Sequence, residues 1–333
     1  RVMGGGSSIM GMIALRGMPS DYERWQAAGA DNLGWADAQR HFERVEGHDG
    51  GTVSVAPPSD WPPLVRRLHE AAHRLGRSAV DQEGDPAQDG FFAMPVSAIG
   101  GKRASAARCF LSETVRSRKN LRILANTRVL RLHHDGGVVR HVSARGPDGD
   151  ITISAGRVVL CTGGIHSPAL LMRSGIGHAE ELRSLGITPQ LDLPGVGRGL
   201  QNHGYSFIAL TLPRGQRIAS LRRPFAVAGL RASSGQPGCS AGDLMLFMLA
   251  RTSPKPFGTS LAMVASSLYS PASRGSVSLR SPDPEQPPHI EFNLLSDPAD
   301  PPRVLQVARL AESLVRSPGV MTSYGDAYLL PAG

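Results

Sequence analysis

Two glycine clusters and one histidine pair are the places in this chain where residue type and spacing could do chemistry. The first cluster opens the stretch GGIHSPALLMRSGIG, Gly163 to Gly177, and sets two adjacent glycines between an apolar run and a helical pattern. Free N–H groups and the positive end of the dipole at a helix start attract an anion. Glycines there let a diphosphate or adenosine group approach the backbone with no side chain in the way. The second cluster, Gly4-Gly5-Gly6-Ser7-Ser8, reads by itself as a flexible loop. The histidine pair is His69-Glu70-Ala71-Ala72-His73, an H-E-x-x-H on a helical stretch, the spacing of two zinc ligands and a general base. Ala79 stands where that pattern needs a third histidine, and no glutamate lies near the twenty-residue offset of the other zinc class. A zinc hydrolase is therefore a remote alternative, and no metal ligand is assigned.

The elements that must hold these residues alternate in texture. Arg157 to Cys161 reads as a strand covered on both faces, leading into a helix with Ser167 as N-cap and Pro168 at its first position. Leu170 and Leu171 give that helix an apolar face, and Gly175 can take the left-handed conformation that stops it. Asp21 to Glu46 reads as helical with a break at Asp31-Asn32. A turn at Asp49-Gly50-Gly51 and a strand from Thr52 to Val55 follow, and Pro62 to Leu75 is an amphipathic helix. Strands are expected at Leu121 to Leu124 and Thr127 to Leu132, with a hairpin turn at Asp135-Gly136-Gly137. Gly195 to Gly199 imitates a dinucleotide turn but leads to no apolar helix and reads as a loop. Beyond Tyr205 the strands Asp243 to Ala250, Ser260 to Tyr269 and Gly275 to Leu279 suggest an antiparallel sheet forming one wall of a pocket. A last helix, Pro301 to Val315, carries Val304, Val307, Leu310 and Leu314 on one stripe.

Read beside the second cluster, with Ala14 to Gly17 and Pro19 to Trp25 after it, the Gly163 stretch resembles the paired signatures of the glucose-methanol-choline flavoprotein oxidoreductases. The resemblance runs on in the family's order through GKRASAARCFL (Gly101 to Leu111), Asn126 to Leu132, LPGVGRGLQNH (Leu193 to His203), RGSVSLRSPDP (Arg274 to Pro284) and NLLSDPAD (Asn293 to Asp300). It implies a mixed α/β (α+β) fold: an FAD-binding Rossmann-like domain, here incomplete, and a substrate domain built on an antiparallel sheet. The expected division gives residues 1–48 and 97–205 to the first and 49–96 and 206–333 to the second.

The resemblance further implies FAD as cofactor, held by Val2, Gly4, Gly5, Ser7, Ser8, Met10, Gly11, Met12, Ile13, Val129, Thr162 and Gly163. Val129 matches the position whose backbone meets the adenine edge. Ile9 and Met10 replace the family's usual His and Asn, so no side-chain or covalent link to the flavin is carried over at that spot. Family members open with a G-x-G-x-x-G turn and close with a segment bearing a catalytic His. This chain starts beyond the one and stops at Gly333 before the other, so an internal fragment with no catalytic residue of its own, neither holding FAD tightly nor turning over, is expected. His203 and His166 are read as structural, and His133-His134 as surface features. The implied reaction is hydride transfer from the CH–OH group of an alcohol to flavin N5, with an electron acceptor that stays unnamed. The alternatives are a non-redox lyase on the same fold and an inactive remnant.

Composition sets wide bounds. A chain of 333 residues with 41% hydrophobic content supports two ordinary cores, and its longest apolar run, Leu244 to Ala250, is strand-length, so no membrane span is expected. The net charge of +8 comes from 36 basic residues that are almost all scattered arginines, which argues against a nucleic-acid surface. Cys109, Cys161 and Cys239 have neither metal nor disulfide spacing, as in a reducing, cytoplasmic setting.

Overall fold

The computed structural model describes residues 2–46, 52–56, 61–81, 86–217, 225–253 and 255–330. The chain divides into two compact units, one made of residues 1–121, 203–270 and 301–333, the other of residues 122–202 and 271–300. The expected Asp49-Gly50-Gly51 turn lies outside the described residues. Among the described residues no helix is long and apolar enough to cross a membrane.

The first unit is organised by a six-stranded antiparallel sheet in the order Ala327–Leu330, Tyr205–Thr211, Leu261–Leu268, Leu244–Leu249, Ala226–Ala232 and Gly90–Ala93. One face takes the helices Pro63–Arg74 and Asp300–Val315. Leu64, Leu68 and Ala71 recur at helical spacing, as do Val307, Ala311 and Leu314, and all six are buried against Leu210, Leu230, Leu246 and Val264. Each fully buried Leu there stabilises by about 2 kcal/mol. Arg303 and Asp243 form an ion pair of 3.0 Å with side chains 1% and 0% exposed, and Asp243 also accepts from the Ser234 backbone and hydroxyl. Removing either partner would leave a buried charge unmatched, at about 3–5 kcal/mol.

The strand register orders the sheet's other face into rows. Phe207, Ala265, Phe247, Gly229 and Phe92 are successive partners across it, and the adjacent row runs Tyr205, Ser267, Met245, Arg231. Met12 and Leu15 from the N-terminal segment pack on this face.

In the second unit the antiparallel strands Arg128–Asp135, Val138–Gly146 and Gly149–Ser154 bury Leu132 and Val142 against Leu170 of the helix Gly163–Arg173. Ser174 ties the two elements: its hydroxyl accepts from Leu132 N at 2.9 Å and donates to Leu170 O at 2.7 Å. Met172, Leu182, Ile187 and Val277 form a second small core.

Several expectations are corrected. Arg157 to Cys161 is not a strand, and Val159 is 76% exposed, because no described strand pairs with the run to take up its ladder bonds. Leu121 to Leu124 is irregular for the same reason, and the strand expected at Thr52 to Val55 shrinks to Val55–Ala56, with Val53 only bridging Glu46. The signature helix starts at Gly163 rather than after Ser167: Thr162 is its N-cap residue and Pro168 lies inside it. Gly163, at φ +83°, turns the chain into the helix five residues early. Arg198–Leu200, expected as loop, is a short strand paired with Gly275–Ser278. His133 and His134 are half-buried rather than free on the surface; His133 stacks on His141 at 4.3 Å and His134 Nε2 lies 3.0 Å from Ser174 O.

Candidate functional site

The N-terminal glycines of the first unit form a tight turn. Gly4 and Gly5 have φ of +87° and +54°, a single helical turn Gly6–Ile9 follows, and Met12 sits at φ +65°. Gly5 N donates to Val2 O at 3.1 Å. Both serines turn their hydroxyls inward: Ser7 Oγ donates to Gly4 O at 2.6 Å and accepts from Ala106 N at 2.9 Å, and Ser8 Oγ donates to Met3 O at 2.7 Å. A Cβ on Gly4 would run into Ser8 Oγ and come within 3.1 Å of Ala107, whereas one on Gly5 would meet nothing within 4 Å. The turn is packed on one side and open on the other.

After it, Met12 O accepts from Ser97 N at 2.8 Å and Ala14 N donates to Pro95 O at 2.9 Å, so Gly11 to Ile13 run anchored beside the strand Val96–Ile99. Around this rigid backbone Val2 is 50%, Ile9 68% and Met10 67% exposed. Val2, Gly4, Gly5, Ser7, Ser8, Met10, Gly11, Met12 and Ile13 thus belong to one continuous feature. Val129, 39% exposed on the strand Arg128–Asp135, and Thr162 and Gly163, at the start of the helix packed against that strand, belong to the second unit. Thr162 Oγ1 lies 2.9 Å from Ser167 Oγ.

The sequence reading missed Arg103 and Arg108. Gly100 and Gly101, at φ +56° and +71°, fold Lys102–Arg103 back on the strand before it, and Arg103 Nη1 donates to Ser7 O at 3.1 Å. Arg108 Nη1 donates to Arg103 O at 3.3 Å. The signal was present in GKRASAARCFL, whose paired glycines announce a turn, but only the fold shows that the turn delivers a guanidinium to the other glycine cluster. Accessible main chain at Gly5, apolar flanks at Ile9 and Met10 and a cation beside them suit a dinucleotide with a flat ring at one end. That donor set fits FAD.

A second polar cluster stands at one end of the sheet. His203 stacks on Tyr269 at 4.2 Å, and Tyr205 hydrogen-bonds to Tyr269 and Ser267. Burial lowers the His203 pKa, so its ring is neutral near pH 7, and burial first and the Tyr205 hydroxyl second push Tyr269 far up. This is a neutral stacked pair rather than a charged base.

The H-E-x-x-H pattern forms no zinc site here. His69 is wedged between Trp61 and Phe91, 5.1 Å from each ring centre, while Glu70 and His73 are exposed on the helix. Among the described residues no three His, Cys, Asp or Glu side chains converge as ligands. His69 serves the aromatic packing beneath the sheet.

Two family models, both described as GMC oxidoreductase, match residues 1–205 and 271–330. The chain is 32% identical over 348 residues to 5-(hydroxymethyl)furfural oxidase of Methylovorus sp. (strain MP688), covering 99% of this chain and 64% of that protein. It is 30% identical to oxygen-dependent choline dehydrogenase of Staphylococcus xylosus, over 95% of this chain and 63% of that one. The chain thus spans under two thirds of the length of these curated relatives. Among solved structures, pyridoxine 4-oxidase from Mesorbium loti superposes with a TM-score of 0.85 at 26% identity, over 97% of this chain and 66% of that one. A formate oxidase superposes at 0.87 with 19% identity, covering 98% and 69%, which speaks to the fold alone. The glycine turn, the signature helix and the antiparallel sheet are those of a mixed α/β flavoprotein, and the chain belongs to the GMC oxidoreductase family of FAD-dependent enzymes.

Proposed function

We propose that the protein oxidises the CH–OH group of a small alcohol with FAD, and that Val2, Gly4, Gly5, Ser7, Ser8, Met10, Gly11, Met12, Ile13, Val129, Thr162 and Gly163 serve to hold the cofactor. The observation that carries this reading is the Gly4–Ser8 turn, whose main chain is open at Gly5 while both serine hydroxyls are bonded inward. A turn so fixed, with Gly5 N already given to Val2 O, presents exposed glycine main chain rather than mobile side chains to a ligand.

FAD, when bound, supplies the hydride acceptor. The chain's own residues bind and orient: the glycine turn meets the dinucleotide with its backbone, and Arg103 offers charge-assisted hydrogen bonds to an anionic group. Val129 presents strand backbone to the adenine edge. Met10 and Ile9 offer apolar surface and no bond to the ring. The division of residues 1–48 and 97–205 for the cofactor from 49–96 and 206–333 for the substrate is part of the proposal. The relatives' names support an alcohol substrate, and three free cysteines support a reducing, cytoplasmic setting.

The test is the visible spectrum of the purified protein, expressed with whatever flanking sequence its gene encodes, followed by anaerobic addition of alcohols. Flavin bands that bleach with an alcohol are expected. A colourless protein that gains no thermal stability from added FAD would overturn the cofactor reading. Flavin that no alcohol bleaches would leave a lyase or an inactive remnant instead.

A further inference from the structure

We infer that the cationic surface beside the glycine turn, built from Lys102, Arg108, Arg116, Arg118 and Lys119, docks an acidic electron-carrier protein that reoxidises the flavin. FAD at the glycine turn is a premise of this; the identity of the alcohol is not.

Charge is the first observation. Residues 102–119 hold six basic side chains and one acid, Glu113, and residues 1–20 hold no Asp or Glu at all. Arg103 is turned to Ser7 O, and the other five basic residues are exposed. Among the described residues none of the five forms an ion pair. Arginines elsewhere on the surface, such as Arg24 beside Asp21 and Arg145 beside Asp150, have their charge answered locally. These five project theirs outward, where it attracts an anionic partner over a Debye length of about 10 Å at 0.1 M salt.

Place is the second. The helix Ala106–Phe110 packs directly on the glycine turn: Ala106 N donates to Ser7 Oγ at 2.9 Å, and a Cβ on Gly4 would come within 3.1 Å of Ala107. Arg108 Nη1 donates to Arg103 O at 3.3 Å, which fixes that guanidinium beside the same turn. The helix Glu113–Arg116 follows, and its Arg116 lines an open hollow with Arg108, Ser105 and Ser112. A partner bound there stands next to the segment assigned to the flavin.

Composition is the third. Phe110, between Arg108 and Arg116 in the chain, is 46% exposed. An exposed ring among arginines is the kind of anchor protein partners use. Five cations spread over two short helices and the turns beside them are also more than one small anion can pair with. Transient redox encounters between proteins use small charged surfaces of this sort. The step balances: the reduced flavin gives up two electrons and releases the accompanying protons to water, and two carrier molecules each take up one electron.

The test uses the FAD-loaded protein with its encoded flanking sequence, its flavin photoreduced without oxygen so that no alcohol is needed. Reoxidation is followed in stopped flow with rubredoxin, an acidic one-electron protein, with horse cytochrome c, a basic one, and with uncharged 1,4-benzoquinone. The rubredoxin rate at low salt is expected to fall at least about tenfold in the double variant Arg116→Glu, Lys119→Glu, and by a similar factor in the parent protein at about 0.5 M salt. The benzoquinone rate should change by less than about twofold, and cytochrome c should not slow. Zinc-substituted rubredoxin, which carries no electron, should bind the oxidised protein in calorimetry at low salt, with a Kd about tenfold weaker in the same variant. Lys102→Gln with Arg118→Gln decides the point if the glutamate pair does not fold. A rubredoxin rate indifferent to salt and to both variants, equal slowing with benzoquinone, or tighter binding of a single-stranded oligonucleotide than of zinc rubredoxin overturns the inference and leaves the cofactor reading intact. A protein that holds no flavin overturns both.

Discussion

The Gly4–Gly5 turn and the Gly163–Gly164 turn look alike as strings of letters but use glycine for different reasons. At Gly4 both the positive φ of +87° and the space demand it, because a Cβ would strike Ser8 Oγ and crowd Ala107. At Gly163 only the φ of +83° demands it, since a Cβ there would meet nothing within 4 Å. The first turn is a packed object with one open side; the second is a change of direction at the head of an eleven-residue helix. A ligand cradle needs rigidity without side chains, and the first turn has both.

The largest effect expected from this comparison is at Gly4. Gly4→Ala forces a left-handed φ on a residue with a Cβ and displaces Ser8 from its bond to Met3 O, so a loss of about 2–4 kcal/mol is expected. Flavin content should fall with it. Denaturant midpoints and flavin-to-protein ratio measure the two losses, and a variant that keeps both would show that the turn is not packed against Ala107.

Ser7 separates hydroxyl from main chain in the same turn. Ser7→Ala removes a donor to Gly4 O and leaves Ala106 N without its acceptor, which should cost about 1–2 kcal/mol. If the hydroxyl has no other duty, FAD binding should weaken only as much as the turn loosens, and Ser7→Thr should restore it. A large loss of FAD affinity with unchanged stability would mean that Ser7 meets the ligand directly.

Much of the fold was legible because it depends on local patterns. The helix Pro63–Arg74 shows its apolar stripe, the strands Leu244–Leu249 and Leu261–Leu268 show as apolar runs, and Gly175 stops its helix at φ +84° as its type suggests. What was illegible depends on partners. Arg157 to Cys161 has the composition of a buried strand, but a strand requires a neighbour, and composition does not state whether one is there. Leu121 to Leu124 failed likewise. The glycine turn was found from its own residues, but the role of Arg103 was not. It reaches Ser7 across 96 residues through a hairpin, and no local spacing encodes such a contact. The His203–Tyr269 stack was hidden for the same reason.

The smallest effect expected is at Gly163, and it is the one that tests the comparison most directly. Gly163→Ala keeps the open space and changes only the cost of the left-handed backbone, about 1–2 kcal/mol. Against this, alanine is the better helix former by about 1 kcal/mol and leaves the unfolded chain with less freedom to lose. The terms nearly cancel, so a net loss of roughly 0.5–1 kcal/mol is expected, small beside that of Gly4→Ala. Placing both variants in one denaturation series removes uncertainty about the reference state. Equal losses at the two sites would mean that φ alone governs both turns and that the packing of Gly4 against Ser8 and Ala107 contributes nothing. A loss at Gly163 smaller than that at Gly4 by clearly more than the helix-propensity difference of about 1 kcal/mol would assign the remainder to that packing, because the two positive φ values differ by only a few degrees.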